Sequence, residues 1–272
     1  MTNYICVQCG VQFAATDAPP ANCPICEDER QYVNWKGQQW TTLAELARDR
    51  KNTIRPEGPG IHGIGTEPSF AIGQRALLVQ SPAGNILWDC ISLIDDETRA
   101  RVMELGGISA IAVSHPHFYS SIVEWSHAFD QAPVYIHASD RRWVMRPDPV
   151  IRFWDGETTS LGKGLTLVRC GIHFEGGQVL HWAQGGEGRG AILAGDIFQV
   201  ASDRRYVSFM HSYPNYIPER PAVVKRALKA VKPYPFDVIY GGWWDRNVVR
   251  GGQAALAQSA ERYLRQIKVE EA

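Results

Sequence analysis

The chain has 272 residues, of which 44% are hydrophobic and 21% charged, and its formal net charge is −1. Such a composition can bury a real core in one large domain, or in one domain plus a small module. The near-zero charge gives no basic field for nucleic acid or an anionic membrane, and no run of about 18 apolar residues predicts a transmembrane helix.

Residues 1–35 are rich in Cys, Pro and polar side chains and poor in aliphatics, so they need a staple to fold. Cys6-x-x-Cys9-Gly and Cys23-Pro-x-Cys26 supply one. Each pair can close a tight knuckle with backbone amides aimed at sulfur, and two knuckles make a closed tetrahedral thiolate site. The expected division is a four-cysteine module over 1–35 and a main domain over 36–272. Met1 to Gly10 has no basic segment followed by an apolar stretch, so no secretory signal is expected. Thiolate ligands suit a reducing compartment, which predicts a cytoplasmic protein. The run from Tyr4-Ile-Cys6 through Pro19-Pro20 to Cys23-Pro-Ile-Cys26 resembles the rubredoxin-like domain of rubrerythrins, which carries iron. Zinc ribbons use the same knuckles, so the metal is zinc or iron. Structural zinc is favoured because nothing else in the chain implies a one-electron partner.

Thr42-Leu-Ala-Glu45 is a capping-box pattern that predicts a short helix to about Arg50. Asn52 to Pro68 holds several Gly and Pro and reads as an irregular connection. Strands are predicted over Phe70–Gln80 and Ile86–Asp89, then a helix over Asp95–Leu105 ended by Gly106-Gly107. Ile108–Val113 is a short apolar strand. Ser121-Ile-Val-Glu124 is a second capping box, with Ile122, Trp125 and Phe129 on one helical face. Further strands are expected at Val134–Ile136, Leu165–Val168, Val179–Trp182, Ala191–Ala194 and Val238–Tyr240. Late helices are expected from about Pro221 to Val231 and from Gln253 to Ile267. Hairpins followed by alternating strands and helices indicate an α/β layered domain.

The chemistry-bearing residues fall where strands give way to loops. His115-Pro-His117 follows the Ile108–Val113 strand, and residues two apart on an extended chain point the same way. His173 lies in a Gly-rich turn after a strand, and Asp196 ends Ala191-Ile-Leu-Ala-Gly-Asp196. In α/β sheets such edges bind ligands. His62, His137, His181 and His211 match no motif, although His62 and His211 are placed in loops that could border the site. Arg141, Arg142, Arg146 and Arg152 cluster around Trp143 and Trp154 and read as a solvated basic face.

This pattern resembles the metallo-β-lactamase superfamily over about residues 60 to 250. The family's His-x-His-x-Asp-His motif matches at His115 and His117, its next metal histidine at His173, and its bridging aspartate at Asp196. Ile86-Leu-Trp-Asp89 matches the family's early strand ending in Asp. The resemblance implies an α/β fold of four layers, the αβ/βα sandwich, preceded by the small four-cysteine ribbon. The chain departs from the family at three ligands of a second metal. Tyr119 stands at the motif's Asp, Ser120 at its next His, and Tyr240-Gly-Gly-Trp243-Trp244-Asp245 carries no histidine. One metal is therefore expected in the main domain, with Tyr119 and Trp243 in the space of the second.

Three imidazoles and a carboxylate suit zinc, which activates water against a carbonyl or phosphoryl centre. The expected function is a single-metal hydrolase of the superfamily acting on a small-molecule substrate, with Asp196 and Tyr119 as candidate catalytic residues. Two alternatives stand beside it. Two histidines and a carboxylate also make the iron facial triad, as in the superfamily's persulfide dioxygenases. The lost second site also fits a non-catalytic ligand-binding member. No partnership with nucleic acid or membrane is expected.

Overall fold

The computed structural model describes residues 1–267. Its chain divides into two compact units, Met1–Asp155 and Gly156 onwards.

In the first unit the cysteine-rich segment folds around β1 (Ile5–Cys6), a single helical turn α1 (Pro24–Glu27) and β2 (Trp40–Thr41). β1 and β2 pair antiparallel, with Cys6 opposite Trp40. α2 (Leu43–Leu46) follows and is shorter than its capping box suggested, because the chain already turns into a strand at Lys51. Ile5, Leu46 and Leu93 bury against one another, with Leu43 and Phe70 packed around them.

The stretch from Asn52 to Pro68 is not an irregular connection. It forms a hairpin of β3 (Lys51–Gly58) and β4 (Ile61–Glu67), in register from Lys51 opposite Glu67 to Pro56 opposite His62. Its glycines and Pro56 serve the strands rather than interrupt them. Gly60 takes the turn with φ +71°. Pro56 sits on β3, which is the edge of the sheet, where a missing N–H is tolerated. His62 thus lies within a strand, not in a loop.

β5 (Arg75–Val79), β6 (Ile86–Trp88), β7 (Ala110–Ala112), β8 (Val134–His137) and β9 (Ile151–Trp154) complete a seven-stranded sheet in the order β3 to β9. Pairing is antiparallel as far as β6 and parallel from β6 to β9. The three parallel steps need crossovers, which α3 (Asp96–Glu104), α4 (Ile122–Ala128) and, between β8 and β9, a 3-10 turn over Ala138–Trp143 provide. The face of α4 that packs inward is the expected one, with Ile122, Trp125 and Phe129 all buried.

The second unit is built on a six-stranded sheet. β10 (Thr158–Gly162), β11 (Leu165–Arg169), β12 (Gln178–Trp182) and β13 (Ala191–Gly195) form an antiparallel meander. Two small ribbons come next, β14 (Gln199–Val200) with β15 (Val207–Ser208), and β16 (Met210–Ser212) with β17 (Ile217–Pro218). α5 (Pro221–Val231) then returns the chain to β18 (Val238–Gly241), parallel to β13, and β19 (Asn247–Val248) closes the order β10-β11-β12-β13-β18-β19. α6 (Gly252–Gln266) is the last element. Ile192, Ala194 and Ile239 of the sheet bury against Val224, Ala227, Leu256 and Ala260 of α5 and α6. Among the described residues no helix is long and apolar enough to cross a membrane.

Helix starts show where sequence pattern and geometry part. The Thr42 hydroxyl accepts from the Glu45 amide at 3.2 Å, and the Asp95 carboxylate from the Thr98 amide at 2.7 Å. Ser121 makes no such bond, and its buried hydroxyl has no hydrogen-bond partner among the described residues. Its φ of −104° and ψ of 43° leave the extended region that a capping side chain uses. Asp95→Ala should therefore cost about 1 kcal/mol, read as a lower urea midpoint at unchanged slope. Ser121→Ala should be neutral or slightly stabilising, because it removes a buried unsatisfied hydroxyl. Equal losses in the two variants would contradict this assignment of caps.

Candidate metal centres

The four cysteines of the knuckles converge. Cys6 Sγ lies 3.6 Å from Cys26 Sγ, and Cys9 Sγ 3.7 Å from Cys23 Sγ. These separations exclude disulfides. They match the sulfur–sulfur edge of about 3.8 Å that a tetrahedral ion with metal–sulfur bonds of about 2.3 Å requires. All four sulfurs belong to residues at most 1% exposed, and burial pushes the Cys9 thiol well above its ordinary pKa. Buried thiols keep their protons unless a cation compensates the thiolates, so this donor set fits a metal. The first knuckle is closed by the Gly10 amide donating to the Cys6 carbonyl at 2.8 Å. Gln38 Nε2 donates to Cys6 Sγ at 3.2 Å.

The first knuckle is laced to the chain that carries His115 and His117. Ser92 Oγ donates to the Gly10 carbonyl at 2.7 Å, and the Gln12 amide donates to the Ser120 carbonyl at 3.0 Å. Ser120 holds a left-handed φ of +46°. Its hydroxyl accepts from Gln74 Nε2 and donates to the Cys90 carbonyl.

β7 ends at Ala112, so His115 and His117 stand beyond the strand rather than on it. Pro116–Phe118 winds into a 3-10 turn, with His115 extended just before it. The two rings lie 5.2 Å apart, nearly perpendicular, and both are buried. The turn is aimed from β6. Asp89, at φ +61°, accepts the Ser114 amide at 2.7 Å, and Ser114 Oγ bonds His115 Nδ1 at 2.9 Å. Burial pushes the Asp89 carboxyl up to about 7 against the opposing hydrogen bonds of Ser114.

His173 holds φ +67° in the turn after β11. A left-handed backbone costs a non-glycine residue about 1–2 kcal/mol, and the local bonds that offset this come from one stretch of chain. The His173 amide donates to Glu219 Oε2 at 3.1 Å, and His173 Nδ1 lies 2.7 Å from the His211 carbonyl. A carbonyl only accepts, so Nδ1 carries the proton and Nε2 presents its lone pair. A Cβ on Gly177 would meet the Ile172 carbonyl oxygen at 2.3 Å, which explains the glycine in this turn. Asp196 follows β13 and is 4% exposed, and its backbone carbonyl accepts the Tyr213 hydroxyl at 2.9 Å.

Among the described residues the four cysteines form a group of metal-capable side chains whose ligand atoms lie within 4.8 Å of one another. His115 and His117 lie in the first unit, and His173 and Asp196 in the second. Tyr119 is 2% exposed, and its hydroxyl has no hydrogen-bond partner among the described residues; burial, and then the charge of Asp140, raise its pKa well above the ordinary value. Sequence reasoning missed Glu219 and the part of His211, whose contribution is a backbone carbonyl that no residue type announces.

Two outcomes are expected. Cys23→Ser should lose one equivalent of metal and open residues 1–41 to protease, since metal binding supplies folding energy that the few buried aliphatics of this segment do not. An unchanged cleavage pattern would count against the four-thiolate site. In metal-free protein, the folded chain keeps the Asp89 proton that the unfolded chain releases. Its stabilising contribution is full below about pH 4 and declines as pH rises to 7. The difference in melting temperature between wild type and Asp89→Asn should therefore shift against wild type over that interval; a flat difference would refute the raised pKa.

No family model matches the chain. The uncharacterized protein YmaE of Bacillus subtilis (strain 168) is 48% identical over 272 residues, which cover 99% of this chain and 98% of YmaE. Among solved structures, VMB-1 aligns with a TM-score of 0.59 at 12% identity, over 80% of this chain and 99% of its own. DIM-1 metallo-β-lactamase gives 0.57 at 12% identity, over 79% and 98%. FIM-1 metallo-β-lactamase from Pseudomonas aeruginosa, in its mono-zinc form, gives 0.57 at 17% identity, over 80% and 98%. The fold expected from the motif resemblance is thus the one present, and at these identities the likeness is one of fold. The chain belongs to the family of YmaE, built on the metallo-β-lactamase fold.

Proposed function

We propose that the protein is a single-metal hydrolase in which His115, His117 and His173 hold one zinc ion, with Asp196 as its anionic ligand. The substrate is a small molecule with an electrophilic carbonyl or phosphoryl centre. The observation that carries this reading is the buried pair of His115 and His117, with rings 5.2 Å apart, beside a buried His173 whose Nδ1 is held 2.7 Å from the His211 carbonyl so that Nε2 is left to a metal. The donor set suits zinc, and the fold relative FIM-1 has been solved in a mono-zinc form. Bound there, zinc supplies a Lewis acid for a substrate oxygen and lowers the pKa of water to about 7.

The chain's own residues fill the other roles. His211 fixes the His173 tautomer, and Ser114 holds the His115 ring by its Nδ1. Tyr119 keeps its proton, because burial raises its pKa, and so acts as a hydrogen-bond donor to a substrate oxygen rather than as an anionic ligand. Without the carboxylate found there in the two-metal pattern, one ion rather than two is the stable occupancy. The four-cysteine site is closed, which suits a structural zinc. Six free cysteines fit a cytoplasmic setting.

Wild type should hold two metal ions per chain and the His115→Ala, His173→Ala double variant one. Asp196→Ala should weaken the same site while sparing the four-cysteine metal. Hydrolysis on a panel of esters, thioesters, lactams and phosphodiesters should fall as pH drops below the water's lowered pKa. The reading is falsified if zinc-soaked crystals show a second ion within about 4 Å of the first, or if turnover consumes oxygen in step with product. A correctly metallated chain inert on the whole panel would favour a ligand-binding role.

A further inference from the structure

His173 is the one histidine of the proposed centre with an irregular backbone, and its surroundings show what keeps it there. Glu219 lies between β17 and α5 and is 4% exposed. Both its carboxylate oxygens accept backbone amides: Oε2 takes that of His173 at 3.1 Å, and Oε1 that of Arg220 at 2.8 Å. Its own backbone is held on both sides. The Glu219 amide donates to the Phe209 carbonyl at 3.2 Å, and the Tyr263 hydroxyl of α6 donates to the Glu219 carbonyl at 2.8 Å. The same stretch supplies the His211 carbonyl to His173 Nδ1, and the Tyr213 hydroxyl to the Asp196 carbonyl. Residues 209–219 therefore grip the backbone of His173, its ring and the backbone of Asp196 by three separate bonds.

We propose that Glu219 is a positioning residue of the histidine metal centre, anchoring the left-handed backbone of His173 so that its Nε2 faces the ion. The inference rests on the reading that these histidines bind metal. A buried carboxylate that accepts two amides is a rigid anchor, because leaving either amide unpaired is costly. Groups that orient metal ligands from behind typically govern affinity by about 10–100-fold when removed. The mechanism is geometric, so reach matters more than charge. Gln keeps the length and one acceptor oxygen; Asp keeps the charge but is one methylene short of the His173 amide.

The test is cobalt(II) titration of the full-length protein in competition with a chelator. The four-thiolate site reports through intense sulfur-to-cobalt charge transfer, and the histidine site through weaker d–d bands. Wild type, Glu219→Ala, Glu219→Gln and Glu219→Asp are compared. Affinity at the histidine site should fall about 10–100-fold in the Ala variant, by a similar factor in Asp and by clearly less in Gln, with the four-thiolate site unchanged. If the Ala variant does not fold, the order of Gln and Asp decides. An Asp variant that binds better than Gln would mean that charge is what counts and overturns the proposal. So would wild-type affinity in the Ala variant, or equal weakening of both sites, which marks a general loss of stability. A wild type that takes up no cobalt at the histidines removes the metal-site reading and this inference together.

Discussion

The Asp89 carboxylate that accepts the Ser114 amide is the bond on which the arrangement of the first unit turns. β6 and β7 are parallel neighbours, so their carboxyl ends lie side by side at the same edge of the sheet. One short bond between those ends fixes the exit direction of the chain that bears His115 and His117. The cost is visible in the molecule. Asp89 itself is held at positive φ, and burial disfavours its charged form. Residues strained in this way persist only where their surroundings over-determine them. Here Ser114 contributes both its amide and, through its hydroxyl, the grip on the His115 ring.

The second unit reaches a comparable end by other means. Its histidine does not lean on a carboxylate at a strand tip. His173 instead sits in a glycine-bounded turn and is held by a carbonyl and a carboxylate from the chain after β15. Two unrelated local devices thus hold imidazole rings in place. Well-held side chains are what a metal centre needs, because an ion binds a preformed set of donors more tightly than one it must organise.

How much of this was legible in the sequence follows from how local each signal is. The cysteine knuckles are legible because two residues of spacing suffice to make each half-site, and the sulfurs do meet. His115 and His117 are legible as a pair, but the argument from strand geometry fails in detail, since Pro116 turns the chain into a 3-10 turn beyond β7. The β3–β4 hairpin was hidden because Pro56, Gly60, Gly63 and Gly65 look like loop residues, and only pairing with β5 shows the strand. The Ser121 pattern has the letters of a capping box without the backbone angles. Glu219 could not be seen at all. It acts on a residue far away in sequence, and Pro-Glu-Arg-Pro reads as nothing more than the entrance to a helix.

The lacing of the first knuckle to Ser92 and Ser120 has a consequence for the order in which the molecule is made. The Gly10 carbonyl and its Ser92 partner are 82 residues apart, and the partner of Gln12 lies later still. During synthesis at about 5–20 residues per second, the cysteine module leaves the ribosome several seconds before either partner exists. It must take up its ion and fold with that face uncovered. The nascent chain is then exposed to scarcity of metal and to oxidants at a moment that the finished protein never revisits, and the cellular supply of that metal becomes a determinant of how many chains reach the native state.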